Sequence, residues 1–104
     1  MKTYQGKMWN ENAGEQYVTV NGKPLPECQH VYNHSPDGFS WGYLGSGCSQ
    51  LALAIMVDHF KGDNNRALRI YQNFKFDFIS KWGDEWELTS NEIEDWLNVN
   101  EKSQ

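Results

Sequence analysis

The sequence predicts an α+β domain, with a small antiparallel sheet of two to four strands and three helices packed on one face. Three observations predict it. Strand-like segments come first and helical ones follow, the order expected when helices gather on one side of an antiparallel sheet. Residues 51–57 carry no polar side chain, and a helix that is apolar all round is a buried one. Asn21-Gly22 directly follows a β-branched and aromatic run, the strongest short-range hairpin signal. The chain has 104 residues, which makes one domain over 1–104.

The strands fall within 1–44. Residues 1–9 form a loose first strand carrying Tyr4, Met8 and Trp9, and residues 10–14 form a polar turn. Gln16-Tyr17-Val18-Thr19-Val20 is the second strand. After Asn21-Gly22 the return strand is short, because Pro24 and Pro26 have no N–H to give a ladder. Residues 28–36 show no period, and Ser35-Pro36-Asp37-Gly38 has turn chemistry. The alternation of Phe39, Trp41 and Tyr43 suggests one further strand.

The first helix spans about 47–60 and lies in the centre of the core. Ser46 suits its N-cap and Gly62 its C-cap. The second spans 64–81, with Ala67, Leu68, Tyr71, Phe74, Phe78 and Ile79 on one stripe. Aromatics at that spacing are more often core than a binding box. Trp86-Glu87-Leu88 is a short extended piece. Thr89-Ser90-Asn91-Glu92 then reads as a capping box, with hydroxyl and carboxylate capping reciprocally. It opens a third helix over 90–98 that turns Ile93, Trp96 and Leu97 inward, and a polar tail follows.

The string GFSWGYLGSGCSQLALAIMVDHF, then NNRALRIYQNFKFDFI, then WELTSNEIEDWL, resembles an uncharacterised family of small domains found in phages, plasmids, bacteria and archaea. In that family a Gly-Phe-x-Trp-Gly-Tyr-x-Gly-Ser-Gly-Pro run leads into a Gln-Leu-Ala-Leu-Ala-Ile helix. The likeness covers roughly residues 17–97. Cys48 stands where the family usually has proline; the first turn of a helix tolerates proline without requiring it. The resemblance implies a fold and a mobile-element setting, and it implies no activity.

Composition narrows the function classes. The formal net charge is −5, and nine Lys and Arg are scattered among fourteen acids. Proteins that hold nucleic acid through its phosphates present a basic patch, so direct nucleic-acid binding is disfavoured. No apolar run approaches the roughly 18 residues of a membrane helix. The first residues, MKTYQGKMWNEN, lack a signal-type apolar stretch, which predicts a cytoplasmic protein that does not engage a membrane. Two cysteines, Cys28 and Cys48, do not make a disulfide framework.

Four constellations carry candidate chemistry. The Gly42-x-x-Gly45-x-Gly47 loop runs into a helix N-terminus, so Gly45, Ser46, Gly47, Cys48 and Ser49 form a candidate anion site. The competing reading is that the glycines simply let an aromatic segment turn into a buried helix, and no Walker lysine is present. Cys48 sits where a thiolate is stabilised, yet nothing in the sequence brings His30, His34 or His59 beside it. Cys28, His30, His34 and Cys48 are zinc-ligand types without paired Cys-x-x-Cys spacing, and no metal or cofactor is expected. Asp58 and His59 end the central helix, where a histidine suits the negative helix end.

The acidic C-terminal third is the strongest functional signal. Asp84, Glu85, Glu87, Glu92, Glu94, Asp95 and Glu101 are seven of the fourteen acids, and Lys102 is the only base among or after them. Trp82, Trp86 and Trp96 are interleaved. Acidic and aromatic side chains together suit docking onto a basic groove, although a solvated helix face with a buried Trp gives the same pattern. The leading expectation is therefore a non-enzymatic interaction protein of phage or mobile-element origin. Its surface of Asp84, Glu85, Trp86, Glu87, Glu92, Glu94 and Asp95 would bind and inhibit a basic host protein, such as a CRISPR-type defence complex. The alternatives are a phosphate- or nucleotide-binding or Cys-dependent enzyme using residues 42–48, and an accessory domain of a larger assembly.

Overall fold

A computed structural model describes residues 1–7, 17–35 and 38–101. The expected turns at 10–14 and Pro36-Asp37, the Met8 and Trp9 end of the first strand, Gln16 and the last tail residues lie outside the described residues. In chain order the elements are β1 (Thr3–Lys7), β2 (Tyr17–Val20), β3 (Lys23–Pro24), α1 (Ser46–His59), α2 (Asn64–Asp77), a 3-10 turn (Ile79–Lys81), β4 (Glu85–Thr89) and α3 (Ser90–Asn100). The expected α+β class holds. Four antiparallel strands in the order β3-β2-β1-β4 form the sheet, and three helices complete the fold.

The hairpin forms at Asn21-Gly22. Both residues have positive φ, 50° and 82°, as a type I′ turn requires. The Asn21 side chain also accepts from the Thr3 N–H at 2.9 Å, which ties the turn to β1. β1 pairs with β2 in the register Tyr4↔Val20 and Gly6↔Val18, and with β4 in the register Tyr4↔Leu88 and Gly6↔Trp86. Alternation then sends Tyr4, Gly6, Val18, Trp86 and Leu88 to the inner face, and these residues are buried. Gln5, Glu85 and Glu87 point the other way and are exposed.

The core centres on α1, where every residue from Leu51 to Met56 is 0% exposed. α2 supplies Ala67, Ile70, Tyr71 and Phe74 to it, and α3 supplies Ile93 and Leu97. The second expected helix ends at Asp77. Phe78 breaks it with φ −120° and ψ −64°, and the 3-10 turn follows. Leu68 lies off the buried stripe at 37% exposed, so that stripe is narrower than the spacing suggests. The third helix runs to Asn100 and carries the expected capping box at Thr89 and Glu92.

Further expectations are corrected, among them the C-cap of α1, which is Phe60 and not Gly62. Residues 39–43 are not a strand. The Gly42 N–H donates to the Ile79 carbonyl at 2.9 Å and the Trp41 indole to the Gly83 carbonyl at 2.6 Å. These bonds tie the segment to the 3-10 turn instead of to a ladder, with Trp41 buried and Tyr43 55% exposed. The fourth strand is instead Glu85–Thr89, so the strands are not confined to 1–44. Ser46 is not the N-cap either: Gly45 holds that position with extended backbone, φ −104° and ψ 178°, and no side chain caps the helix. The Gly45 carbonyl already accepts from Cys48 N and Ser49 N, which places Ser46 inside the first turn.

Candidate functional site

The acidic segment folds as β4 and α3. β4 is an edge strand, and its alternation puts Glu85 and Glu87 on the solvent side. Outward charge on a sheet edge discourages casual strand pairing. Glu87 accepts from the Gln5 amide at 3.3 Å. On α3, Glu92, Glu94 and Asp95 are exposed, and Asp84 is exposed just before β4.

The acids differ in how far they are already engaged. The Glu94 carboxylate meets the ring of His59 at the end of α1. Arg66 holds Glu101 through Nε at 2.8 Å and a terminal nitrogen at 2.5 Å. That hydrogen-bonded pairing keeps the Glu101 carboxyl below its ordinary range, against the opposing effect of burial. Glu92 closes the capping box. Asp84, Glu85, Glu87 and Asp95 are exposed with no ion pair among the described residues.

Trp86 does not belong to this surface. It is 8% exposed and lies over β1 at Gly6, where an added Cβ would come within 2.3 Å of its Nε1. The strand period explains the burial, because Trp86 shares the inner face with Leu88. Trp82 is partly exposed and stacks on Trp86, while Trp96 donates its indole N–H to Asp77 at 2.7 Å. An aromatic interleaved with acids in sequence is thus separated from them by the pleat.

The glycine loop packs closely on itself. A Cβ on Gly47 would come within 2.8 Å of the Ser40 Cβ, and one on Gly45 within 2.3 Å of the Tyr43 ring. Cys48 is 0% exposed and Ser49 is 5% exposed, with Ser49 Oγ accepting from Lys75 Nζ at 3.0 Å. Solvent does not reach the Cys48 thiol, as attack on a substrate would require.

The histidines are dispersed. His34 Nε2 lies 2.6 Å from the Tyr71 hydroxyl, His30 is exposed and His59 meets Glu94. Among the described residues no group of three His, Cys, Asp or Glu side chains gathers to hold a metal ion. No helix among them is long and apolar enough to cross a membrane.

Two polar centres were not apparent from sequence. Gln50 is 0% exposed on α1, and its amide fills three roles. Its oxygen accepts from His34 N at 2.8 Å and Ser35 N at 3.1 Å, and its nitrogen donates to the Glu27 carbonyl at 2.6 Å. A lone amide leading an apolar helix was the available signal, since buried amides need partners. The second centre is Asp58, whose Oδ2 accepts from the Tyr4 hydroxyl at 2.6 Å and Lys2 Nζ at 3.0 Å. Burial first, and then the Asp58 carboxylate, push the Tyr4 phenol far above its ordinary range. Nothing local in the sequence pairs residues so far apart.

Residues 4–99 match a family of unknown function (DUF6166). No curated protein and no solved structure matches the chain.

Proposed function

The chain belongs to this family of unknown function, and we propose that it acts by binding another protein, without catalysis of its own. Its acidic surface, made by the outer side of β4 and by α3, docks onto a basic site of a host protein. In this reading the protein comes from a phage or other mobile element. Its target handles nucleic acid in a defence complex of the CRISPR type, and occupying a site built for phosphate inhibits that complex by competition.

One observation carries the reading. From Asp84 to Glu101 there are seven acids and no Lys or Arg, and Asp84, Glu85, Glu87 and Asp95 reach solvent without an ion-pair partner among the described residues. Uncompensated charge of one sign steers association and selects a partner of the opposite sign. The glycine loop supports the nucleotide or Cys-dependent alternative less well, because Cys48 is buried and Gly45 and Gly47 are covered by Tyr43 and Ser40.

The test is capture of partners from a bacterial lysate at low and high salt. The control is the variant Glu85→Lys, Glu87→Lys and Asp95→Lys, which leaves the α3 cap and the His59–Glu94 contact intact. A basic partner should be retained at low salt and released as the screening length shrinks from ~8 Å at physiological salt to ~3 Å at 1 M. It should also be lost in the triple variant. A partner held equally by the triple variant would overturn the surface, and no specific basic partner would overturn the function.

A further inference from the structure

A groove of about 440 Å³ lies between the C-terminal end of α1 and the segment after β3. Pro26, Cys28, Ala54 and Val57 give it apolar walls, and Lys2, Asp58 and Lys61 bring charge to it. We propose that this groove binds a small organic monoanion, such as an aliphatic or aromatic carboxylate. The apolar body lies against Pro26, Cys28, Ala54 and Val57, and the anionic head meets the Lys61 ammonium.

Size and lining both fit. Small-molecule sites commonly occupy ~300–1,000 Å³, with apolar walls and a few convergent polar groups. The charges decide the sign of the ligand. Lys2 Nζ sits 3.0 Å from Asp58 Oδ2, and the Tyr4 hydroxyl donates to the same oxygen. Asp58 and Lys2 therefore cancel, and Asp58 is already supplied with donors. Lys61 is exposed and has no carboxylate partner among the described residues. The Lys61 ammonium therefore remains to the groove, and it outweighs the partial negative charge of about half a unit at the C-terminal end of α1.

Among the described residues three non-glycine residues have positive φ, and two of them, Cys28 at 61° and Lys61 at 55°, line this groove. A side chain held in that region is strained; at Lys61 the conformation ends α1, with the Gly62 N–H donating to the Val57 carbonyl at 3.0 Å. At position 61 glycine would relieve the strain with no loss of buried packing, because Lys61 is exposed. What lysine adds there is the ammonium.

The test is a titration of the 15N-labelled full chain followed by its amide resonances. Hexanoate and benzoate are the probes, and hexanol and benzyl alcohol are the uncharged controls. The acids should give saturable shifts confined to the groove, with Kd near 1 mM or tighter. The alcohols should bind more weakly. Lys61→Gly should fold at least as stably as the parent and weaken the acids by about fivefold, the size of one exposed charge contact, while leaving the alcohols unchanged. Lys23→Gly, away from the groove lining, should change nothing in binding. Absence of saturable shifts for either acid, equal binding of acid and alcohol, or unchanged acid binding in Lys61→Gly would each overturn the proposal. The acidic docking surface shares none of these residues, so the two readings stand or fall separately.

Discussion

Trp82 and Trp86 stack with ring centroids 3.8 Å apart and planes inclined by 13°. Trp41 meets Trp86 edge-on at 5.8 Å, and beneath Trp86 lies the bare backbone of Gly6. The neighbouring Trp82 and Trp86, joined by the distant Trp41, thus close the region where β1, β4 and the 3-10 turn meet. Their arrangement depends on there being no side chain at position 6.

Gly6→Ala should therefore destabilise the fold. Its Cβ would fall 2.3–2.7 Å from Trp86 ring atoms, and the ring is held between Trp82 and Trp41. Overpacking of this kind costs about 1–3 kcal/mol. Urea unfolding should show a lower midpoint with an unchanged slope, and the indole fluorescence of the folded protein should shift. A variant as stable as the parent would mean that the indole stack gives way easily.

Gln50→Leu keeps the size of the side chain and removes its hydrogen bonds. The Glu27 carbonyl and the His34 and Ser35 N–H groups lose their partner. Orphaned buried polar groups cost about 1–3 kcal/mol each, so the three together should cost the variant about 3 kcal/mol or more. Gln50→Glu should also be destabilised, because it keeps the acceptor but loses the donor and buries a charge. Equal urea midpoints for Gln50→Leu and the parent would show that water replaces the clasp.

His34 makes stability depend on pH. Burial, and then the Lys75 ammonium, hold its ring below the ordinary value of 6.5. The ring Nε2 pairs with the Tyr71 hydroxyl, which accepts from Gln72 at 3.0 Å. As pH falls through 6.5 the unfolded chain takes up a proton that the folded chain refuses. The contribution is therefore full above 6.5 and is lost as pH falls below it, toward the lowered folded value. Glu101, held below its ordinary 4.5 by Arg66, adds a separate loss only as pH falls below that value. Thermal melts from about pH 8 to about pH 5 should show the first decline in the parent and a flatter profile in His34→Gln. Identical profiles would remove His34 from the account.

Much of the fold was legible in local signals. The capping box at Thr89 and Glu92, the Asn21-Gly22 turn and the all-apolar centre of α1 are each written within a few residues, and each appears where expected. What stayed hidden depends on residues far apart in the chain. The pairing of Gly6 with Trp86 cannot be read from either strand alone. Phe39, Trp41 and Tyr43 alternate as a strand does, but the Ile79 and Gly83 carbonyls take the segment's donors. The acidic residues of the candidate surface were visible in sequence. The removal of Trp86 from that surface needed the pleat direction, which β1 sets.

The pairing of β1 with β4 also bears on synthesis. Thr3 lies opposite Thr89, and the Ser90 N–H donates to the Lys2 carbonyl at 2.9 Å. On the ribosome β1 emerges well before its partner, because residues 8–84 separate β1 from β4 in the chain. Until residue 89 is free, the nascent chain holds an unpaired strand edge beside uncovered indoles, the kind of surface on which aggregation begins. Closing so long a loop slows folding more than it weakens the product. A chain stalled before β4 would stay open, and completion of the sheet waits on the synthesis of Thr89.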